Sequence, residues 1–289
     1  ALAQGWLGVM YEQGKGVRQD DIEAAHWLQK SAEQGYAKAQ FHLGWMYEEG
    51  RGVSQDLVEA VHWYRKAAEL GDAAAQSNLG LMYEEGRGVS QDHVQAVHWY
   101  RKAAELGDAV TQGWLASMYY NGRGVPQNYV QAAHWYLQAA ELGDAVSQNN
   151  LGSMYVEGKG VAQDDSQAFH WFRKAAEQGL AGAQSNLGIM YQEGRGVPQD
   201  NAQALYWVRK AAKQGNILAQ NILSAIYYRG QGVPKDNQTA YLWLALAAEQ
   251  GDENAKKNIT KLERHMSSSD ITEAQARAQR CLDSNYQDC

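Results

Sequence analysis

The sequence is short of the features that mark catalytic and nucleic-acid-binding chains. Positive charge is in deficit: 26 lysines and arginines against 33 aspartates and glutamates leave a net charge of −7 and a pI near 5.6. A nucleic-acid partner calls for a basic stripe, so this balance argues against one. No run of 18 or more apolar residues occurs, and no membrane-spanning helix is expected. Cysteine is nearly absent, with only Cys281 and Cys289 near the C-terminus. A zinc site lacks further ligands nearby, while a disulfide between the two and a pair of free thiols both stay open. No Ser-His-Asp or Cys-His arrangement stands out, because hydroxyls, carboxylates and imidazoles recur as repeated decoration rather than as one singular cluster. The chain begins at ALAQGWLG without an initiator Met or a signal-like segment. It is expected to be a processed or truncated product from which any export signal has been lost.

What is present is one unit written many times. Gln4, Gln40, Gln76, Gln112, Gln148, Gln184 and Gln220 lie 36 residues apart, as do Tyr11, Tyr47, Tyr83, Tyr119, Tyr155, Tyr191 and Tyr227. The period holds again for Trp27, Trp63, Trp99, Trp135, Trp171, Trp207 and Trp243. Self-similarity at this period marks a solenoid or an array. With 45% hydrophobic and 20% charged residues the chain can bury substantial surface, each unit mainly against its neighbours.

The stretch Ala73 to Gly107 predicts two helices. Gln76, Leu79, Gly80 and Tyr83 share one face of the first, and Ala96, Trp99, Ala103 and Ala104 one stripe of the second. Gly80 is expected where a Cβ would hold the helices apart. Gly86 and Gly88 suit the left-handed turn that closes the first helix. Asp92 is placed as the N-cap of the second, with Gln95 three residues on in the manner of a capping box. The same pattern recurs at Asp20, Asp56, Asn128, Asp164 and Asp200, and Asp108 is placed to start the following helix. Linkers this short force antiparallel neighbours.

The string A-x-A-Q-x-N-L-G-x-M-Y-x-x-G-x-G-V-x-Q-D, followed by A-x-x-W-x-x-K-A-A-E-x-G, resembles the Sel-one-like repeat, a relative of the tetratricopeptide repeat. The resemblance runs through seven consecutive units over residues 1–251. It implies an all-α, right-handed α/α solenoid or superhelix of helix-turn-helix repeats that serves as a protein-binding scaffold, without enzymatic activity or cofactor. Residues 252–289 are expected to form C-terminal capping helices and a tail. There Ile271, Ala274, Ala278 and Leu282 make one apolar stripe, and Asp270 is a candidate cap.

Other chemistries are weighed against this frame. His26, His62, His98, His134 and His170 each precede the repeated tryptophan. Neighbouring units stack at roughly 10 Å, too far for two imidazoles to share a zinc, so they read as a polar outer row. The tryptophans read as core. G-[K/R]-G-V lacks the preceding strand of a phosphate loop and is explained by turn chemistry. Lys15, Arg51, Arg87, Arg123, Lys159 and Arg195 form a basic ladder that alternates with Glu48, Glu49, Glu84 and Glu85. It reads as a solvated loop edge, with an acidic inner face for a basic partner as the sharper alternative. A hydrolase acting through Glu48 and Glu84 is a remote one.

In tetratricopeptide folds the first helix of each pair lines the concave groove. By that resemblance the groove would receive Phe41, Trp45 and Glu48, then Ser77, Asn78, Leu81 and Glu84, then Trp114, Ser117 and Tyr120. Further along come Asn149, Asn150 and Ser153, then Asn186 and Ile189, then Asn221 and Tyr228. Aromatic anchors among asparagine amides suit an extended peptide, the rings gripping side chains and the amides meeting backbone. The alternative is that Trp45 and Trp114 pack between units while the asparagines bridge helices. The leading expectation is a monomeric scaffold binding a peptide or protein. The resemblance places it in a bacterial envelope or secreted setting, with host interaction or signalling as its context; a cytoplasmic setting stays open. A carbohydrate- or cell-wall-binding module is the runner-up.

Overall fold

The computed structural model describes residues 1–286 and 289; residues 287 and 288 of the expected C-terminal segment 252–289 lie outside that description. The described residues form sixteen α-helices and no strand. They group into two compact units, residues 1–142 and 143–289. In the first, α1 (Leu2–Gln13) pairs with α2 (Asp21–Ala32), α3 (Ala37–Glu49) with α4 (Leu57–Glu69), α5 (Ala73–Glu85) with α6 (His93–Glu105), and α7 (Ala109–Asn121) with α8 (Tyr129–Glu141). In the second, α9 (Ala145–Glu157) pairs with α10 (Asp165–Glu177), α11 (Ala181–Glu193) with α12 (Asn201–Ala212), and α13 (Ile217–Arg229) with α14 (Asn237–Glu249). Then come α15 (Glu253–Glu263) and α16 (Ser268–Asp283), both of which pack on α14.

Inside each unit the second helix of a pair also packs on the first helix of the next, so the pairs stack in series as in a solenoid. Small residues set the spacing. Gly80 is buried, and a Cβ there would stand 2.6 Å from the Tyr100 ring. Trp63, Trp99, Trp171 and Trp243 are buried as core, and the histidines preceding the first three are exposed and meet the indoles edge-on.

Each turn is closed by backbone rather than by a reciprocal box. Gly86 takes φ 73° and ends α5. The Asp92 carboxylate then accepts from the Val94 and Gln95 amides at 2.9 and 3.0 Å. Its own N–H donates to the Tyr83 carbonyl at 2.9 Å, which occupies the donor that a Gln95 side chain would serve in a capping box. A reciprocal box occurs instead at α16. There Ser267 is the cap and Asp270 the third helical residue, so the expectation of Asp270 as cap shifts by three positions. The recurrent glutamine stitches consecutive pairs. The Gln76 amide, buried, donates at 3.0 Å to the Ala68 carbonyl in the last turn of α4, which also accepts from the Gly71 N–H at 3.1 Å. Gln40, Gln112, Gln184 and Gln220 repeat the bond.

Candidate functional site

One cleft recurs where the first helices of successive pairs meet. Between α5 and α7 it measures about 570 Å³ and is lined by Leu81, Glu84, Tyr100, Trp114, Ser117 and Arg123. Two periods on, Ser153, Val156, Phe172, Asn186, Ile189 and Arg195 occupy the same positions around a cleft of about 260 Å³. Four periods on, Ala225, Tyr228, Leu244, Asn258 and Lys261 do so around one of about 480 Å³. A smaller cleft of about 150 Å³ lies at Trp6, Val9 and His42. The helical period carries the same register to each junction, so wall chemistry changes while geometry persists.

Leu81, Glu84 and Trp114 of the expected groove residues therefore share one cleft, and Asn186 and Tyr228 line two others. Trp114 is 38% exposed and tilts over the Tyr100 ring at 5.5 Å. Phe41 and Glu48 converge on Tyr64: the Phe41 ring lies 5.8 Å away and Glu48 accepts the phenol at 2.6 Å, while Asn78 is half-buried. Trp45 is half-buried beneath the Arg51 guanidinium at 4.8 Å, packed against both the cluster that joins the first and second pairs and the one that joins the second and third. Tyr120 meets Tyr129 edge-on, Asn186 donates to Asn149 at 3.0 Å, and Asn150 is half-buried.

The glutamates and the basic ladder turn out to be one device. Glu48 accepts from Tyr64 and pairs with Arg87 at 3.0 Å; Glu84 accepts from Tyr100 at 2.7 Å and pairs with Arg123 at 3.1 Å. Each triad ties one pair to the next, and the acids spend their charge there rather than on an open acidic face. Burial, and then the carboxylate each donates to, push the Tyr64 and Tyr100 phenols far above their ordinary range. Arg51 and Arg195 bind Asp21 and Asp165 of the preceding pair at 2.8 and 2.7 Å. The ladder is thus paired at Arg51, Arg87, Arg123, Lys159 and Arg195, while Lys15 is exposed to solvent. The Tyr64 and Tyr100 partners were missed because they stand on the second helix. Their signal was a tyrosine recurring 16 residues after each glutamate.

The family model for the Sel1 repeat matches residues 1–36, 37–72, 73–108, 110–144, 145–180, 181–216 and 217–252. The chain belongs to the Sel1 repeat family. A solved protective antigen of uropathogenic Escherichia coli displaying an SLR fold is 39% identical, with a TM-score of 0.89 over 96% of this chain and 61% of that one. This Sel1 chain thus spans about three-fifths of the length of that relative. A Sel1 repeat protein from Oxalobacter formigenes is 40% identical, with a TM-score of 0.73, covering 90% of this chain and 75% of that one. No curated protein matches. Sel1 repeats generally act as protein-interaction scaffolds and are typically non-catalytic. No helix among the described residues is long and apolar enough to cross a membrane.

Proposed function

We propose that this Sel1 array is a non-enzymatic scaffold that grips a peptide or protein segment on its first-helix face, with the cleft between α5 and α7 as a principal anchor site. The observation that carries this reading is Trp114: an indole left 38% exposed at a 570 Å³ cleft, braced from below by Tyr100. Aromatic anchors in such depressions dominate binding energy. Leu81 offers an apolar wall, and Ser117 and Arg123 offer polar groups to a partner's backbone. Glu84 holds this cleft in register through Tyr100 and Arg123, and Glu48 does the same one junction earlier through Tyr64, on which Phe41 packs, and Arg87.

The setting we propose is a bacterial envelope or secreted one, in contact with a host or a signalling partner. The Cys281 and Cys289 Cα atoms, 5.0 Å apart with their sulfurs paired, suit an oxidising compartment. The protective-antigen standing of the E. coli relative fits the same setting.

Affinity capture from envelope and host-cell extracts tests the reading, comparing the native chain with Trp114→Ala and with an outer-row control, His134→Ala. A protein retained by the native chain and the control but lost with Trp114→Ala, at unchanged helical circular dichroism, supports it. Equal capture by all three rejects the cleft, and selective retention on peptidoglycan would favour a glycan ligand instead.

A further inference from the structure

The last cleft reverses the charge of the one between α5 and α7, where Glu84 and Glu85 outnumber Arg123. At the ends of the first six first helices stand Gln13, Glu49, Glu85, Asn121, Glu157 and Glu193; α13 ends in Arg229. At the C-cap of α15, Arg264 takes the register of Glu48 and Glu84, and on the helix Lys261 takes that of Trp45 and Leu81. The ladder position of Arg87 and Arg123 is meanwhile filled by Ser267. Arg229, Lys261 and Arg264 all line the 480 Å³ cleft between α13 and α15, and among the described residues no carboxylate lines it.

The nearby acids are already engaged. Glu263 accepts from the Tyr241 hydroxyl at 3.3 Å, Glu253 pairs with Lys256 at 2.7 Å, and Asp252 caps α15 and accepts from Asn221. Among the described residues Arg229, Lys261 and Arg264 make no ion pair. Below them lie apolar groups, the buried Leu244 and Leu262 and the Tyr228 ring, over which Lys235 adds a further cation at 5.0 Å. Three unpaired cations above an apolar floor, in a cleft of ligand-binding size, fit carboxylates next to aliphatic side chains. The net charge of −7 disfavours a long polyanion, which would run onto the rest of the chain, whereas a short acidic segment meets only this patch.

We propose that the α13–α15 cleft binds an acidic segment of a protein partner, its carboxylates held by Arg229, Lys261 and Arg264 and a neighbouring aliphatic side chain by Tyr228 and Leu244. This rests on the scaffold reading and assigns it a partner chemistry. The probe is a fluorescein-labelled peptide, Gly-Glu-Leu-Asp-Leu-Glu, followed by fluorescence anisotropy against the full chain. Its Gln/Asn counterpart, a single-stranded oligonucleotide and phosphatidylglycerol vesicles serve as competitors. The expected result is saturable, salt-sensitive binding of the acidic peptide. Binding should weaken about tenfold or more, the equivalent of at least one charge-assisted contact, in R229Q/K261Q/R264Q and persist in R264K. All three side chains are exposed, so matching thermal melts are expected and are checked. The proposal is overturned if the peptide does not bind, binds the triple variant equally, or binds no better than its amide counterpart. It is equally overturned if oligonucleotide or vesicles displace the peptide as the stronger ligand. Trp114→Ala separates the two readings. Capture lost with Trp114→Ala beside charge-independent peptide binding sinks the acidic-segment site alone; the opposite pattern sinks the Trp114 cleft alone.

Discussion

At the scale of single residues, stability rests on contacts that leave no slack. A Cβ on Gly80 would stand 2.6 Å from the Tyr100 ring, and that ring is pinned because its hydroxyl donates to Glu84 at 2.7 Å. Gly80→Ala should therefore destabilise by about 1–3 kcal/mol, read as a lower urea midpoint. At the fourth pair an alanine, Ala116, stands in the glycine place, and Tyr120 stands in the place of Glu84. Tyr64 and Tyr100 also set an alkaline limit. Their folded-state pKa values are raised, by burial first and then by Glu48 and Glu84. The stability they contribute is thus complete below the ordinary phenol pKa of about 10 and is lost as pH rises beyond it. A Tyr64→Phe/Tyr100→Phe variant should lose helicity less steeply in alkaline titration, and the native chain should show these phenols ionising only as it unfolds. The need for a small residue at Gly80 could be read from the repeat. The pinning of Tyr100 left only the 16-residue offset from Glu84 as its mark, because its partner lies across a turn and on another helix.

At the scale of elements, caps and stitches decide where helices begin and what they join. Asp92→Ala removes an acceptor for two amides and should cost about 1 kcal/mol. Gln95→Ala, by contrast, should cost little, because the Tyr83 carbonyl already takes the Asp92 N–H. Equal losses in the two variants, measured by chemical denaturation, would contradict this account. The cap was legible as a residue type at a fixed offset, whereas the loop-closing bond involves two backbone groups and leaves no mark in side-chain identity. Gln76 was legible only as a landmark. Its bond to the Ala68 carbonyl emerged with the packing of α5 on α4. Cys281 is fully buried against Val208, Leu223 and Trp243, and pairing it with Cys289 fastens the C-terminal end of the chain to α16. Reduction of that bond, or Cys289→Ser, should lower the thermal midpoint by an amount corresponding to about 2–3 kcal/mol, the chain entropy of so short a loop.

At the scale of the whole molecule, a stack of helix pairs needs a terminus that covers its last apolar face. α14 is the most apolar of the second helices, with Tyr241, Leu242, Trp243, Leu244 and Leu246 all buried, and α15 and α16 both pack on it. A chain ended at Gly251 should expose this face, bind a hydrophobic dye strongly and aggregate at concentrations where the full chain does not. Unchanged dye binding would refute a covering role for α15 and α16. The sequence by itself determined the helix-pair unit, its period, its glycine turns and its N-caps, because these follow from local backbone chemistry repeated at one spacing. Tertiary structure alone decided the rest. The glutamates became struts through Tyr64, Tyr100, Arg87 and Arg123, the asparagines Asn149 and Asn186 bonded each other, and the groove resolved into separate clefts. The physical reason is that a side chain's freedom to meet a partner depends on what the adjacent pair brings against it. That neighbour lies about 36 residues away in sequence and in direct contact in space.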